Sequence, residues 1–293
     1  MKPSPTHYIR PETLDDAIQV LADADGGATV LAGGQTLVAL MNLRLAQPSI
    51  LVDISHLQDL AAIDVTDDAL RVGAAVTQAQ LEDHAETSTV PLLADVLPHI
   101  AHREIRNAGT VVGNLAHGDP ASEIPMVAVL VGASFTVLGP SGERSVAASE
   151  MYTGYLETSI SHNELITHVS FPRSRTRPGS TTWGFSEHAT RHGDYAIAGS
   201  GAVLDVEAGV IITADVGGIA VGTTPVRTSA GGLLVGQNID WVDLAAFRNA
   251  AMDSVDPKDD VHATADYRRH LFGVAAQRAV EQAVERHRTV GAA

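Results

Sequence analysis

The chain has 293 residues and a formal net charge of −16, from 35 acidic and 19 basic side chains. Binding to nucleic-acid phosphates or to an anionic membrane surface requires clustered lysine and arginine, so this balance argues against both classes of partner. The length suggests about two domains of ~150 residues each.

The sequence contains no cysteine. It therefore has no thiolate to ligate an iron–sulfur cluster, no disulfide and no cysteine nucleophile. Any iron–sulfur centre that exchanges electrons with this chain must lie on another chain. The first ten residues lack the apolar core of a signal peptide and no run of 18 apolar residues occurs, so a cytoplasmic location is expected.

The first 57 residues alternate helical and strand patterns. Apolar residues at helical spacing predict a helix over residues 11–24, opened by a proline that suits the first turn, and a second helix over 36–45. Short apolar runs predict strands over 28–32 and 50–54. This segment is therefore expected to form an alternating unit of strands and helices.

The following segment mixes both patterns. A strand is expected over 70–75, and Thr77 with Gln80 forms a capping-box pattern that opens a helix to about residue 86. Apolar spacing predicts a helix from Pro91 and another over 122–133. Strands over 135–138 and 144–146 flank residues 140–143, which predict a hairpin turn.

The segment 172–179 is polar, basic and flanked by prolines, and we interpret it as a domain boundary. Strands are expected beyond it over 196–206 and 210–216, followed by two helices. The first is expected to begin near Asp240 as the N-cap, with Asp243 three residues on. The second is expected over 264–288.

Two glycine-bearing loops are the main functional signals. The first, residues 31–36, places Gly33 and Gly34 between a predicted strand and a predicted helix. Glycine permits positive φ and close backbone approach, and N–H groups at a helix start can hold phosphate oxygens. A plain strand-to-helix turn is the alternative, and the loop matches neither the dinucleotide GxGxxG pattern nor the Walker pattern.

The second loop, residues 106–114, leads towards an apolar helix. Thr110 and Asn114 can hydrogen-bond an anionic ligand. Glu123 lies at a predicted helix start, where it either caps the helix dipole or accepts a hydrogen bond from a ribose or amide donor. The loops are about 75 residues apart. Two such loops can together clamp both ends of a long diphosphate ligand.

Four motifs follow one another over nearly the whole chain. They are residues 32–36 (AGGQT) with 51–54 (LVDI), residues 105–114 (IRNAGTVVGN) with 119–121 (DPA), residues 191–199 (RHGDYAIAG), and residues 265–268 (ADYR). In these motifs the chain resembles the FAD-binding (medium) subunit of the carbon monoxide dehydrogenase and xanthine dehydrogenase family of molybdenum hydroxylases.

The resemblance implies an α+β fold. An FAD-binding domain of the PCMH, or vanillyl-alcohol-oxidase, type is expected over residues 1–175, with subdomains of about 1–57 and 58–175. A smaller C-terminal domain of sheet and helices, like that of the CO dehydrogenase flavoprotein, is expected over 180–293. FAD is expected across the two loops, with its isoalloxazine near the domain interface.

Carried over position by position, the resemblance also implies the cofactor-binding residues. Those expected to line the diphosphate are Ala32, Gly33, Gly34, Gln35, Thr36, Thr110, Gly113 and Asn114. Glu123 is expected to contact the cofactor, Ile166 to pack on the flavin and Tyr195 to lie close to the isoalloxazine. No side chain is expected to act as a nucleophile or general base.

The chain departs from the family pattern at two places. Val112 replaces the first glycine of a pair, and a β-branched residue disfavours positive φ, so this loop is expected either to be reshaped or not to need the glycine conformation. The stretch 185–187 (FSE) lacks a lysine that many relatives carry. Histidines near the motifs show no metal-ligand spacing, and no metal site is expected.

The resemblance further implies a multi-subunit enzyme. Electrons are expected to leave a molybdenum cofactor on a large subunit, pass through 2Fe–2S clusters on a small subunit, reach FAD on this chain, and continue to NAD⁺ or another acceptor. A dimer of heterotrimers is the expected assembly. The alternatives are a self-sufficient flavoprotein oxidoreductase of related fold and a scaffold subunit that has lost FAD.

Overall fold

The computed structural model describes residues 2–173 and 180–291. It combines helices and strands throughout, which confirms the α+β prediction. Of the segment 172–179, which was interpreted as a domain boundary, residues 174–179 lie outside the described residues. The helices are α1 (Leu14–Asp23), α2 (Leu37–Asn42), α3 (Gln78–Asp83), α4 (Pro91–Val96), α5 (Arg103–Arg106), α6 (Val111–His117), α7 (Glu123–Val131), α8 (Ala148–Met151), α9 (Leu244–Asp253) and α10 (Ala265–Gly291).

Within the described residues the strands form four sheets. They are β1 (His7–Ile9), β2 (Ala28–Leu31), β3 (Ile50–Asp53), β4 (Ile63–Val65), β5 (Ala69–Gly73), β6 (Ser134–Gly139), β7 (Gly142–Ala147), β8 (Tyr152–Gly154), β9 (Glu157–Thr158), β10 (Leu165–Pro172), β11 (Thr181–His188), β12 (Ala198–Glu207), β13 (Val210–Ile219) and β14 (Val226–Thr228). Their orders are β1-β3-β2, β4-β5-β10-β6-β7, β11-β12-β13-β14 and the pair β8-β9.

The first sheet is parallel, with β3 between β1 and β2. Helix α1 was predicted over residues 11–24 but begins only at Leu14, because the Thr13 side chain caps it by accepting a hydrogen bond from the Asp16 amide. Pro11 therefore lies before the helix and not in its first turn. Its apolar face buries Ala17, Ile18 and Leu21. The first glycine-bearing loop leaves the carboxyl end of edge strand β2, and this places it beside the second sheet's helices.

The second sheet is antiparallel and centred on β10, which pairs with β5 and β6. The predicted hairpin is confirmed by the pairing of β6 with β7. The predicted capping box is also confirmed: the Thr77 hydroxyl accepts from the Gln80 amide, and the Gln80 side chain accepts from the Thr77 amide. Both features are determined by residues that are close together in the sequence, and this is why the sequence predicts them.

Helix α7 connects the second and third sheets. Apart from Glu123 its residues are apolar, and all but one of them are buried. The helix contacts β10 on one side and β12 and β13 on the other. Because Phe185, Val203 and Ile219 of the third sheet belong to the same buried cluster as the N-terminal core, the C-terminal part is packed firmly against α7.

The first C-terminal helix begins later than the sequence predicted. Asp240 lies in a short 3-10 turn, Ile239–Trp241, capped by the Asn238 side chain. Helix α9 starts at Leu244, and its N-cap is Asp243, whose carboxylate accepts from the Ala246 amide. The prediction of Asp240 as N-cap was therefore wrong, because an extended residue, Val242, interrupts the helical turns.

Helix α10 packs so closely on β11 that a side chain is excluded at Gly184. A Cβ built there would collide with the carbonyl oxygen of Ala279 and lie 2.8 Å from its carbonyl carbon. We expect Gly184→Ala to lower the free energy of unfolding by about 3 kcal/mol, since two backbones must separate. Urea unfolding checks this, with Gly232→Ala as control because nothing lies within 4 Å of that position. Equal stability of the two variants would contradict the packing.

Candidate functional site

The two glycine-bearing loops meet. A Cβ built on Gly33 would collide with the carbonyl oxygen of Ala108 and lie 2.8 Å from the Cα of Gly109. Gly34 has φ of +69°, a conformation in the left-handed region that glycine adopts without a Cβ penalty. The first glycine is thus required by close approach and the second by backbone conformation, so this loop is more than a plain turn.

The second loop is held by backbone hydrogen bonds to the turn after β5. The Gln78 amide donates to the Gly109 carbonyl at 2.8 Å, and the Val111 amide donates to the Val76 carbonyl at 3.1 Å. The Thr110 hydroxyl accepts from the Gly113 amide at 3.0 Å and so caps α6. A loop fixed at both ends in this way presents a rigid surface to a ligand.

Residues 111–117 form α6, which the sequence analysis did not predict. Val112 is a buried helical residue and has no positive φ. Of the two expectations for this position, the structure supports the second: the glycine conformation is not needed here. Val112 instead forms part of an apolar cavity wall.

A cavity of about 580 Å³ opens between the loops, within the range of small-molecule and cofactor sites. All eleven residues implied by the resemblance line it: Ala32, Gly33, Gly34, Gln35, Thr36, Thr110, Gly113, Asn114, Glu123, Ile166 and Tyr195. Tyr195 is 62% exposed and lies where the cavity opens, whereas Ile166 is buried on β10. The structure therefore brings the whole predicted set together.

Glu123 is the most unusual group in the cavity. It lies in the first turn of α7, is only 5% exposed, and appears in no ion pair within residues 2–173 and 180–291. Its burial, reinforced by the charges of Glu187 and Asp119, raises its pKa to about 8. A simple capping role does not explain this burial, since the residue at the N-cap is Ser122. At neutral pH Glu123 is mainly a neutral acid that can donate a hydrogen bond.

Glu187, in the stretch that lacks lysine, lies close to this acid. One of its oxygens is 3.5 Å from Nδ1 of His99, and its side chain is 10% exposed. Its other carboxylate oxygen is buried without a hydrogen-bond partner in the described structure. The stretch without lysine therefore contributes a carboxylate that disfavours ionisation of Glu123.

Several cavity residues escaped sequence reasoning. One of them is Gln78, which holds a buried side-chain oxygen that lacks a partner among the described residues. The predicted residue Asn114 holds another such oxygen, and both residues line the cavity. The capping-box pattern drew attention to Thr77 and Gln80 but not to Gln78 between them. Ile100 and Ala101, which form another part of the wall, carry no motif at all.

Comparison with known proteins agrees with this geometry. Residues 4–174 match the family described as the FAD binding domain in molybdopterin dehydrogenase. The chain belongs to this family of FAD-binding subunits of molybdenum hydroxylases. Residues 183–283 match the CO dehydrogenase flavoprotein C-terminal domain, which agrees with the predicted character of the C-terminal part.

The relatives share nearly the full length of the chain. It is 34% identical to the 6-hydroxypseudooxynicotine dehydrogenase complex subunit alpha of Paenarthrobacter nicotinovorans, over 98% of this chain and 97% of that one. It is also 34% identical to the carbon monoxide dehydrogenase medium chain of Afipia carboxidovorans, over 98% and 99%. These names describe chains of larger dehydrogenases, and they do not favour a self-sufficient enzyme.

Solved structures show the same fold. The Cu,Mo-CO dehydrogenase matches with a TM-score of 0.92 at 34% identity, covering 98% of this chain and all of that chain. Quinoline 2-oxidoreductase from Pseudomonas putida 86 matches with a TM-score of 0.90 at 33% identity, covering 98% and 99%. The expected fold and family are therefore confirmed.

The cavity suits FAD chemically. Its apolar walls fit the planar rings, and the oxygens of Gln78 and Asn114 can accept hydrogen bonds from a ligand. No lysine or arginine is among the described lining residues, so backbone amides and hydroxyls of the two loops must neutralise a diphosphate. Helix α2 has only six residues, and the loop backbone itself must therefore contribute most of that contact.

No cluster of three or more histidine, aspartate or glutamate side chains within 2–173 and 180–291 is arranged to hold a metal ion. No helix in these same ranges is long and apolar enough to cross a membrane.

Proposed function

We propose that this chain holds FAD in the cavity and relays electrons within a molybdenum hydroxylase. In this proposal a small subunit delivers electrons from 2Fe–2S clusters, a large subunit holds the molybdenum cofactor, and NAD⁺ or another acceptor takes the electrons. The observation that carries it is the contact of Gly33 with Ala108 and Gly109, which closes two distant loops around one cavity.

Each part of the chain has a defined task in this proposal. The diphosphate is held by Ala32 to Thr36 together with Thr110, Gly113 and Asn114. Ile166 packs on the ring system of the flavin. Glu123 donates a hydrogen bond to the cofactor, and Tyr195 shields the isoalloxazine at the cavity mouth. FAD supplies the ability to exchange both single electrons and electron pairs, and the chain supplies position and exclusion of water.

The other subunits follow from chemistry and from the relatives. A chain without cysteine cannot ligate an iron–sulfur cluster through thiolates, and the relatives are named as medium chains or complex subunits. We propose a dimer of heterotrimers as the assembly. The domain limits at about residues 57, 175 and 180 and the cytoplasmic location stay predictions.

Affinity purification of the tagged chain from its native host tests the proposal. We expect equimolar FAD, a small partner with iron and acid-labile sulfide, and a large partner with molybdenum. Since electron transfer to NAD⁺ is reversible in principle, NADH is expected to bleach the visible flavin absorbance of the complex if NAD⁺ is the acceptor. Bleaching by a reduced quinone instead would assign the other acceptor class. A pure chain without flavin or partners would contradict the relay role.

A further inference from the structure

Arg106 lies behind the cavity wall and is almost completely buried, at 6% exposed. Its Nε and Nη2 donate to the two carboxylate oxygens of Glu82 at 2.9 and 3.0 Å. Its Nη1 donates to the carbonyl oxygens of Ile100 at 2.8 Å and Ala101 at 3.1 Å. The guanidinium therefore connects α3 to the segment that precedes α5, and it does not line the cavity itself.

The carbonyls that Arg106 holds belong to an unfavourable stretch of backbone. Ala101 has φ of +46°, a left-handed conformation that a residue with a Cβ adopts only when its surroundings enforce it. Both Ile100 and Ala101 line the cavity. The enforced turn is thus part of the surface of the cavity.

The same turn supports the cavity mouth. A Cβ built on Gly193 would lie 3.0 Å from both the carbonyl carbon and the oxygen of Ala101, so the two segments are in close contact. Gly193 leads directly into Asp194 and Tyr195, which line the cavity. A change in the turn at Ala101 would consequently displace the segment that carries Tyr195.

We propose that Arg106 is a positioning residue of the cofactor site: it holds Ala101 in its left-handed conformation, and this turn fixes both the cavity wall and the Tyr195 segment. The inference rests on the proposed function, since it concerns the same FAD site. Arginine is required because its planar fork binds the Glu82 carboxylate with one edge and leaves Nη1 for two carbonyls. A lysine ammonium cannot reach all four acceptors.

Arg103 provides a matched control within the same helix. It also pairs with Glu82, at 2.9 Å, and with Asp83. Its side chain is 41% exposed and donates to neither Ile100 nor Ala101. Arg103→Lys and Arg106→Lys therefore make the same chemical change beside the same carboxylate, but only the second removes support from the turn.

The test compares four variants of the 293-residue chain: Arg106→Lys, Arg103→Lys, Ala101→Gly, and Arg106→Lys combined with Ala101→Gly. The FAD dissociation constant is measured by flavin fluorescence. Amide hydrogen exchange over residues 99–103 and 191–196 is measured without added FAD. We expect Arg106→Lys to weaken FAD binding about tenfold, as for other supporting contacts behind a site, and to speed exchange in both segments. Arg103→Lys should change neither.

The double variant decides the mechanism. Glycine adopts positive φ without a Cβ penalty, so Ala101→Gly is expected to restore most of the FAD affinity and exchange protection that Arg106→Lys loses. Unchanged exchange in Arg106→Lys, or no recovery in the double variant, would overturn the inference. If the wild-type chain bound no FAD, the proposed function would fail, and the exchange data would still decide the role of Arg106.

Discussion

Replacing Gly33 by alanine is expected to remove FAD from the chain. The new methyl group would collide with the carbonyl oxygen of Ala108 and approach the Cα of Gly109 to 2.8 Å. These atoms belong to the backbone and cannot move aside by a change of rotamer, as side-chain atoms can. The two loops must therefore separate by about 1 Å. A displacement of this size in a preorganised site costs about a hundredfold in function. The flavin-to-protein ratio after gel filtration should fall below about a tenth of the wild-type ratio.

Two further alanine substitutions separate this effect from general damage. Gly34→Ala introduces strain of about 1 kcal/mol at positive φ, but its Cβ meets only side-chain atoms of Leu31 and Val38, at 3.2 and 3.3 Å. It should retain most of its FAD. Gly232→Ala should retain all of it. A Gly33→Ala variant that keeps both a native circular dichroism spectrum and the wild-type flavin-to-protein ratio would contradict the contact between the loops.

Local features of the fold could be predicted from the sequence because neighbouring residues determine them. The capping box at Thr77 and Gln80 and the hairpin of β6 and β7 are of this kind. The first loop could also be predicted from the sequence, since two glycines lie directly between a strand pattern and a helix pattern. The meeting of this loop with the second one was expected only through the family resemblance, because the residues of the loops do not themselves show that the fold brings Gly33 to Ala108.

The failures have equally specific causes. Because of Gly109 and Gly113, residues 106–114 were predicted to form one loop, although Thr110 caps a helix there. The buried ion pair between Arg106 and Glu82 joins residues that are 24 positions apart, and no short-range sequence pattern predicts it. The acid pair of Glu123 and Glu187 is more distant still, because α7 and β11 come together only through packing of the third sheet.

Glu123 is expected to make the chain progressively less stable as pH rises from about 4.5 to about 8. Its pKa is about 8 in the folded chain, against a value of 4.5 for an unperturbed glutamate. Between these values the folded state binds a proton that the unfolded state has released, so the free energy of unfolding decreases with pH. The decrease is at most about 5 kcal/mol and levels off above pH 8.

Glu123→Gln should abolish most of this dependence, because an amide has no charge to bury. Urea unfolding from about pH 5 to about pH 9 is expected to show similar stability of variant and wild type at the acidic end. At the alkaline end the variant should be more stable. Glutamine can also donate a hydrogen bond, so the variant should keep FAD. The same pH slope in both proteins would mean that Glu123 is ionised in the folded chain.

Glu187→Gln tests the cause of that shift. Removing the Glu187 charge is expected to lower the pKa of Glu123, because one of its two repelling carboxylates is gone, while burial remains as the larger cause. The fall in stability should then end at a lower pH than in wild type, with its beginning near pH 4.5 unchanged. Asp119→Asn should act in the same direction but less, since its charge contributes less than that of Glu187. If Asp119→Asn had the larger effect, Glu187 would not be the carboxylate that contributes most to the raised pKa of Glu123.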